Sequence, residues 1–265
     1  MVRERHSRTE EMRMPRLHGR MILFTALICA GVLWSCGKDR DFKRAVGKFR
    51  ADGLDKIDRS AKTLPFFTVK TLDPVWNTAG RKIIRIPEYR FTNQYKRSVT
   101  EEKMDGRITV ACFFYTHCPG YCPNIMRNMR RIQSALKNDP RFYMISHSVT
   151  PDLDHPARLM EYGTNLGVAR RNWDLVTGDR RALYHLARET YNADTRVAKP
   201  GSPLARGLGK RDFIHSEHIY IIDSRRRVRG IYNGNYNTNV ARVVRDVRLL
   251  MKSEGPSKQV ELSGR

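Results

Sequence analysis

Apolar residues fall along this chain in two alternating patterns. Ile108–Tyr115, with the sequence ITVACFFY, is continuous and strand-prone, as a central strand covered on both faces must be. Asn124–Lys137 instead spaces Ile125, Met129, Ile132 and Leu136 at helical intervals, so one face is apolar and the rest is basic. Phe142–Ser146 repeats the strand pattern. Pro156–Leu166 repeats the helix pattern with Leu159, Met160 and Tyr162, opened by Asp154 or His155. Trp173–Val176 predicts a short strand ahead of Gly178, and Arg180–Tyr191 a helix carrying Leu183, Leu186 and Ala187. The segment 198–209 holds Pro200, Gly201, Pro203, Gly207 and Gly209, a density that defeats helix and strand alike. Ile219–Asp223 and Val228–Tyr232 are separated by a hairpin-length turn, and a closing helix is expected over Asn239–Lys252. Upstream, Pro65–Val69, Ile83–Pro87 and Tyr89–Thr92 read as N-terminal strands whose pairing the pattern leaves open. Alternating strands and helices, then a hairpin and a helix, predict an α/β sandwich around a mixed sheet.

The amino terminus follows a different logic. Met21–Trp34, MILFTALICAGVLW, is one apolar run preceded by Arg13, Arg16 and Arg20, the charged and apolar regions of an export signal. It is shorter than the roughly 20 residues that a bilayer-spanning helix requires. Leu33-Trp34-Ser35-Cys36 resembles the lipobox of bacterial lipoproteins, which implies that Cys36 becomes the lipid-bearing first residue of the mature chain. An uncleaved signal anchor is the alternative. Either places the globular part outside the cytoplasm, in the cell envelope and anchored to the membrane. The chain then divides into a signal segment with a polar extension (1–35), a lipid-anchored charged spacer (36–62), one folded domain (63–252) and a polar tail (253–265).

Composition narrows the function. Of 265 residues, about 230 remain after the signal, enough for one sizeable core. Apolar residues at 40% and charged residues at 29% set aside a disordered or multi-span chain. Lys and Arg number 50 against 27 acids, a net +23. These cations are scattered, the tightest cluster being Arg225-Arg226-Arg227, and no zinc-finger or RNA-binding signature accompanies them, so nucleic acid is not an expected partner. A solvated surface comes first and an anionic membrane surface second. Of five cysteines, Cys29 lies in the signal and Cys36 at its end, leaving Cys112, Cys118 and Cys122. Three thiols cannot build a disulfide scaffold.

Tyr115–Asn124, YTHCPGYCPN, is the most specific stretch. Its two cysteines stand four positions apart where a buried strand hands over to a helix, whose free N–H groups and positive end favour thiolate. Pro123 suits a first helical turn, which makes Cys122 the expected cap. Such a pair can form a disulfide, act as a redox couple, or offer two soft metal ligands. A plain structural disulfide is disfavoured, because so short a loop constrains little in the unfolded chain. Thioredoxin-type oxidoreductases use two intervening residues and a zinc site ordinarily takes four ligands, so three intervening residues favour copper. Among the neighbours, His117 is expected to point away from Cys118 or tune it, His218 to face solvent, and His147 and His155 to cap a helix or lie at the surface. Cys112 is expected to be a core thiol, and Trp76 and Trp173 to be packing residues.

Taken together, the motifs resemble the Sco/SenC family of copper-binding, thioredoxin-like assembly factors for cytochrome c oxidase. The resemblance covers residues 64–250 and is carried by the cysteine motif, by Ser148–Pro156 (SVTPDLDHP), by Asp174–Gly178 (DLVTG), and by His215-Ser216 leading into Tyr220–Asp223 (YIID). It implies a thioredoxin-like sandwich with a central mixed sheet, extra N-terminal strands and a C-terminal hairpin plus helix. It also implies one copper, Cu(I) or Cu(II), bound by Cys118, Cys122 and His215, the histidine standing five positions before Tyr220. Two thiolates favour Cu(I), and an added imidazole accommodates Cu(II). The family usually carries aspartate where this chain has Thr150 and Ile214, neither of them a ligand. The implied function is a metallochaperone for the binuclear copper centre of cytochrome c oxidase, with that enzyme's copper-binding subunit and a thiol reductant as partners. Such a protein carries cargo rather than turning over a substrate. An envelope thiol-disulfide oxidoreductase acting through Cys118 and Cys122 fits the same residues; a thiol peroxidase does not, for want of a peroxidase motif.

Overall fold

From Arg90 onward the alternation of strand and helix patterns is realised nearly element for element. The computed structural model describes residues 63–69, 71–168, 172–193 and 217–255. The expectations for the signal segment, the Cys36 anchor, the charged spacer and His215 lie outside the described residues. No helix among the described residues is long and apolar enough to cross a membrane.

The strands are β1 (Phe66–Phe67), β2 (Pro74–Val75), β3 (Arg90–Asn93), β4 (Ser98–Thr100), β5 (Ile108–Phe114), β6 (Phe142–Ser148), β7 (Trp173–Thr177), β8 (His218–Ile222) and β9 (Val228–Asn233). The helices are α1 (Cys122–Leu136), α2 (Pro156–Leu166), α3 (Arg180–His185) and α4 (Asn237–Glu254). β1 and β2 form a small antiparallel pair, and the other strands form one sheet in the order β4-β3-β7-β6-β5-β8-β9. β5, β6 and β7 run parallel; β3, β4, β8 and β9 run antiparallel to their neighbours. This is the mixed-sheet sandwich, with a C-terminal hairpin and helix, that the sequence predicts.

Every residue of β5 is buried, because the sheet is covered on both faces. Side chains alternate between those faces. Val110, Cys112 and Phe114 meet Met126, Met129 and Ile132 of α1, Leu159 of α2, and Val243 and Val247 of α4. Ala111 and Phe113 meet Phe67, Phe91, Leu183 and Tyr191. The helix ends follow local chemistry. His155 accepts the Arg158 N–H at the start of α2, Pro156 occupies its first turn, and Gly167 closes it at φ 75°. Asp179 caps α3 through the Ala182 N–H at 2.8 Å. Buried Asp174 accepts from Asn93 at 2.7 Å, Tyr143 at 2.7 Å and Lys103 at 2.8 Å, which ties the antiparallel edge to β7.

Several expectations are corrected. Ile83–Pro87 is not a strand: the Ile84 N–H reaches Phe67 and the Ile86 N–H reaches Arg226, so its bonds go to two partners and no ladder propagates. Helix Arg180–Tyr191 ends early, its last residues, Leu186–Thr190, widening into a π-helical turn. Trp76 is 46% exposed, whereas Trp173 is buried and donates its Nε1–H to Ser146 at 3.0 Å. His218 is half-buried with Nδ1 3.4 Å from the Tyr220 hydroxyl, not solvent-facing.

His147 departs furthest from expectation. It neither caps a helix nor reaches the surface, but is fully buried, stacked on Phe113 at 5.0 Å between ring centres and ringed by Tyr89, Phe91 and Tyr191. Its Nδ1 lies 3.4 Å from the Cys112 carbonyl, to which only an Nδ1–H can donate, and among the described residues Nε2 has no hydrogen-bond partner. Burial pulls its pKa down from 6.5 to about 4. The unfolded chain therefore binds a proton that the folded chain refuses. Stability from this group is complete above the unfolded value and is lost as pH falls toward the folded one, by roughly 3 kcal/mol. Urea midpoints taken between neutral pH and about pH 4.5 are expected to fall, and to fall less steeply in His147→Phe; an equally steep fall in that variant would clear His147 of the effect.

Candidate metal centre

The site begins where β5 ends. Thr116 donates its N–H to Asp154 Oδ2 at 3.0 Å and its hydroxyl to Oδ1 at 2.6 Å. Ser148 at the end of β6 and Thr150 just beyond it donate to the same carboxylate at 2.6 and 3.0 Å. Asp154 has no exposed surface. A buried carboxylate is costly unless hydrogen-bonded, and four donors from two adjoining loops offset that cost by fixing the loops to each other. The cysteine loop thus leaves the sheet from a clamped base.

Beyond Thr116 the chain turns, with the Cys118 N–H donating to the Tyr115 carbonyl at 3.3 Å, and α1 starts at Cys122. Tyr121, not Cys122, is the cap residue; its carbonyl accepts the Asn124 and Ile125 N–H groups at 3.0 and 3.1 Å. Pro123 removes one N–H from the first turn, and the Tyr121 side chain makes no capping hydrogen bond. Cys122 is 1% exposed and Cys118 is half-buried against the same core. Both are free thiols, and the Cys122 thiol hydrogen-bonds to Cys118.

The expected stabilisation of thiolate by the helix end does not prevail at Cys122. Burial pushes its pKa well up, the hydrogen bond to Cys118 raises it further, and a backbone bond at Tyr115 only partly opposes this. A metal binding here must displace a proton. Cys112 is the core thiol expected: its Sγ lies 3.2 Å from Ser146 Oγ and 3.9 Å from Met126 Sδ, and burial raises its pKa to about 12.

His117 is occupied elsewhere. Its Nε2 lies 3.3 Å from the Arg158 guanidinium, which can only donate, so Nε2 accepts and the proton sits on Nδ1, 2.9 Å from Thr116 Oγ1. Thr116 passes its own hydrogen to Asp154, giving a chain from Arg158 through His117 and Thr116 to the carboxylate. Both ring nitrogens are spent away from sulfur, and His155 is spent as a cap.

The structure therefore brings Cys118 and Cys122 together. Among the described residues no third histidine, cysteine or carboxylate joins them in a metal-holding cluster. The residues that sequence reasoning did not single out are Thr116, Ser148, Arg158 and the clamping role of Asp154. The signal lay in the SVTPDLDHP segment, whose aspartate reads from sequence only as a helix cap.

Comparison with known proteins agrees with the fold and identifies the family. The SCO1/SenC family model matches residues 78–252. A SCO1/SenC family lipoprotein from Bacillus anthracis superposes with a TM-score of 0.54 and is 27% identical, matched over 63% of this chain and 95% of its own. BsSco, a member of the Sco family of cytochrome c oxidase assembly proteins, gives a TM-score of 0.54 and 28% identity over 64% of this chain and 94% of that one. ScoI of Bradyrhizobium japonicum, solved with copper bound, shares the fold at a TM-score of 0.50 and 22% identity, over 63% of this chain and 99% of its own.

The clamp can be tested directly. Asp154→Asn turns an acceptor-only group into one whose amide hydrogens face the Thr116, Ser148 and Thr150 donors, so a loss of about 2 kcal/mol in unfolding free energy is expected. A loosened loop should also speed alkylation of Cys118. Wild-type stability together with a wild-type alkylation rate would show that the carboxylate does not hold the loop.

Proposed function

We propose, because the chain belongs to the SCO1/SenC family, that it is a copper-binding metallochaperone. It holds one copper through Cys118, Cys122 and His215 and serves assembly of the binuclear copper centre of cytochrome c oxidase. The observation that carries the reading is a pair of free, neighbouring thiols at a strand-to-helix junction, with the adjacent His117 engaged elsewhere. Two soft sulfurs with no carboxylate between them suit Cu(I), and one imidazole extends the set to Cu(II).

The topology supports His215 as that imidazole. β8 runs antiparallel to β5, with Ile219 opposite Cys112, so the chain enters β8 at the end of the sheet where β5 gives way to the cysteine loop. His215 precedes His218 by three positions, a span of roughly 10 Å when extended. When bound, copper is the cargo; the residues of the chain would hold and orient it, and the two thiols would release their protons to solvent as it binds. Asp154 and Thr116 position Cys118 without touching the metal.

Membrane anchoring at Cys36 would keep the domain in the cell envelope, beside the copper-binding subunit of the oxidase, and a thiol reductant would keep the pair competent. BsSco belongs to a family of oxidase assembly proteins, the Bacillus anthracis relative is a lipoprotein, and ScoI carries copper; each of these supports the reading. The pairing of two neighbouring free thiols also favours a second reading, thiol-disulfide exchange, because such a pair can close a disulfide when an oxidised thiol partner takes the electrons.

Reduced protein titrated with Cu(I) is expected to bind one equivalent, with two sulfur neighbours and one nitrogen neighbour in X-ray absorption. His215→Ala should weaken binding by about 100-fold, an order of magnitude typical of losing one ligand or its support, while leaving the circular dichroism unchanged. His117→Ala should bind as wild type. If His215→Ala kept full copper affinity but lost dithiol reactivity, the oxidoreductase reading would replace this one.

A further inference from the structure

Four large apolar side chains are exposed among the described residues, and three of them gather at one end of the sheet. Tyr121 lies in the cysteine loop, Leu153 in the loop clamped to it by Asp154, and Tyr236 at the start of α4. α1 and α4 both begin at this end, joined there by Asn128 Nδ2 donating to the Gly234 carbonyl at 2.7 Å and by Arg131 donating to Asn237. The dithiol therefore opens within an apolar rim, and the two helices run side by side away from it.

The flank those helices form is strongly one-signed. α1 contains no carboxylate. α4 contains two, and both are committed: Asp246 is buried, accepting from Tyr232 at 2.6 Å and Arg245 at 2.8 Å, and Glu254 sits at the far end, accepting from the Ser224 N–H at 3.1 Å. Three exposed guanidiniums are instead held by neutral acceptors. Arg127 bonds Asn124, Arg131 bonds Asn128 at 2.9 Å, and Arg248 bonds the Ala135 carbonyl at 3.4 Å. Among the described residues no carboxylate lies within ion-pair distance of these three. They are held in place but not neutralised, and Arg127 stands only about 8 Å along α1 from Cys122.

We infer that this rim and basic flank form a docking face for an acidic protein domain that exchanges copper with the dithiol. The inference rests on the copper-carrier reading above and names the chemistry of its partner. Uncompensated guanidiniums beside a site steer an oppositely charged partner toward it and raise the encounter rate, while exposed tyrosines supply contact energy once it arrives. A protein surface fits better than a lipid one. Head groups pressed against this flank would also cover the cysteine loop, whereas a folded domain can bring its own ligands to it.

The test uses the reduced, Cu(I)-loaded full chain, with the copper-receiving domain of a cytochrome c oxidase subunit as one probe and vesicles containing anionic phosphatidylglycerol as the other. The triple variant Arg127→Glu, Arg131→Glu, Arg248→Glu is compared with Arg81→Glu, Arg85→Glu, Arg225→Glu, which changes net charge equally at exposed sites off the face. Association of the wild type with the domain should be fast and fall steeply with salt. The face variant should associate at least about ten-fold more slowly with a flattened salt slope, while the control changes by less than about three-fold. Equal effects of the two variants, or a face variant that docks as wild type, would overturn the proposal. So would loss of vesicle binding in the face variant with domain association intact. Wild-type protein that binds no copper would instead sink the copper-carrier reading, and association rates would still judge the face.

Discussion

The buried carboxylate of Asp154 is the constraint from which the site is built. A charge without solvent must find donors or shift its protonation, and Asp154 takes four hydrogen bonds from Thr116, Ser148 and Thr150. Those residues come from the ends of two adjacent parallel strands, so satisfying one side chain locks two loops together. The cysteine loop inherits its starting direction from that lock. One of the His117 hydrogen bonds is oriented by it as well, since donation to Asp154 points the Thr116 hydrogen away from the imidazole and leaves the hydroxyl oxygen to accept from it.

A second consequence concerns the sulfurs. Alternation along β5 sends Cys112 toward the helical face and Phe113 toward the other, and the same parity on β6 separates Ser146 from His147. One face therefore collects the sulfur-rich layer of Cys112, Cys122, Met126 and Met129, and the other an aromatic layer around His147. Cys122 belongs to the first layer, and desolvation there outweighs the helix end, keeping its thiol protonated until a ligand competes for the sulfur. Cys118, half-buried beside it, is the partner within reach of solvent. For the proposed copper carrier, this asymmetry would give an incoming ion an outer sulfur to meet first and an inner one to complete the pair.

Charge adds direction to this asymmetry. A net +23 spread along a sequence says little about function, and most of these cations fall where a solvated surface is sufficient explanation. Folding sorts them. Near the hairpin between β8 and β9, Arg226 is paired with Glu101 and Asp105, and Arg227 and Arg229 with Asp223. On the flank of α1 and α4, by contrast, Arg127, Arg131 and Arg248 have no carboxylate within ion-pair distance among the described residues, and that flank begins at the dithiol. The Arg225-Arg226-Arg227 run, the most conspicuous basic feature of the sequence, is largely neutralised in three dimensions.

By itself the sequence determined most of the elements and the cysteine pair. The continuous run of β5, the helical spacing in α1, the turn-bounded hairpin and the CPGYCP loop are local patterns, and local patterns follow from backbone periodicity and the chemistry of adjacent residues. What it left undecided depended on distant partners. Ile83–Pro87 has strand composition but no single neighbour to pair with, His147 looks like a loop residue until four aromatic rings from three other segments close over it, and Asp154 reads as a helix cap until Thr116 reaches it. Burial, and with it the protonation of Cys122 and the uncompensated charge on α1 and α4, was decided only by tertiary structure, because desolvation is set by everything that packs around a group and not by its neighbours in the chain.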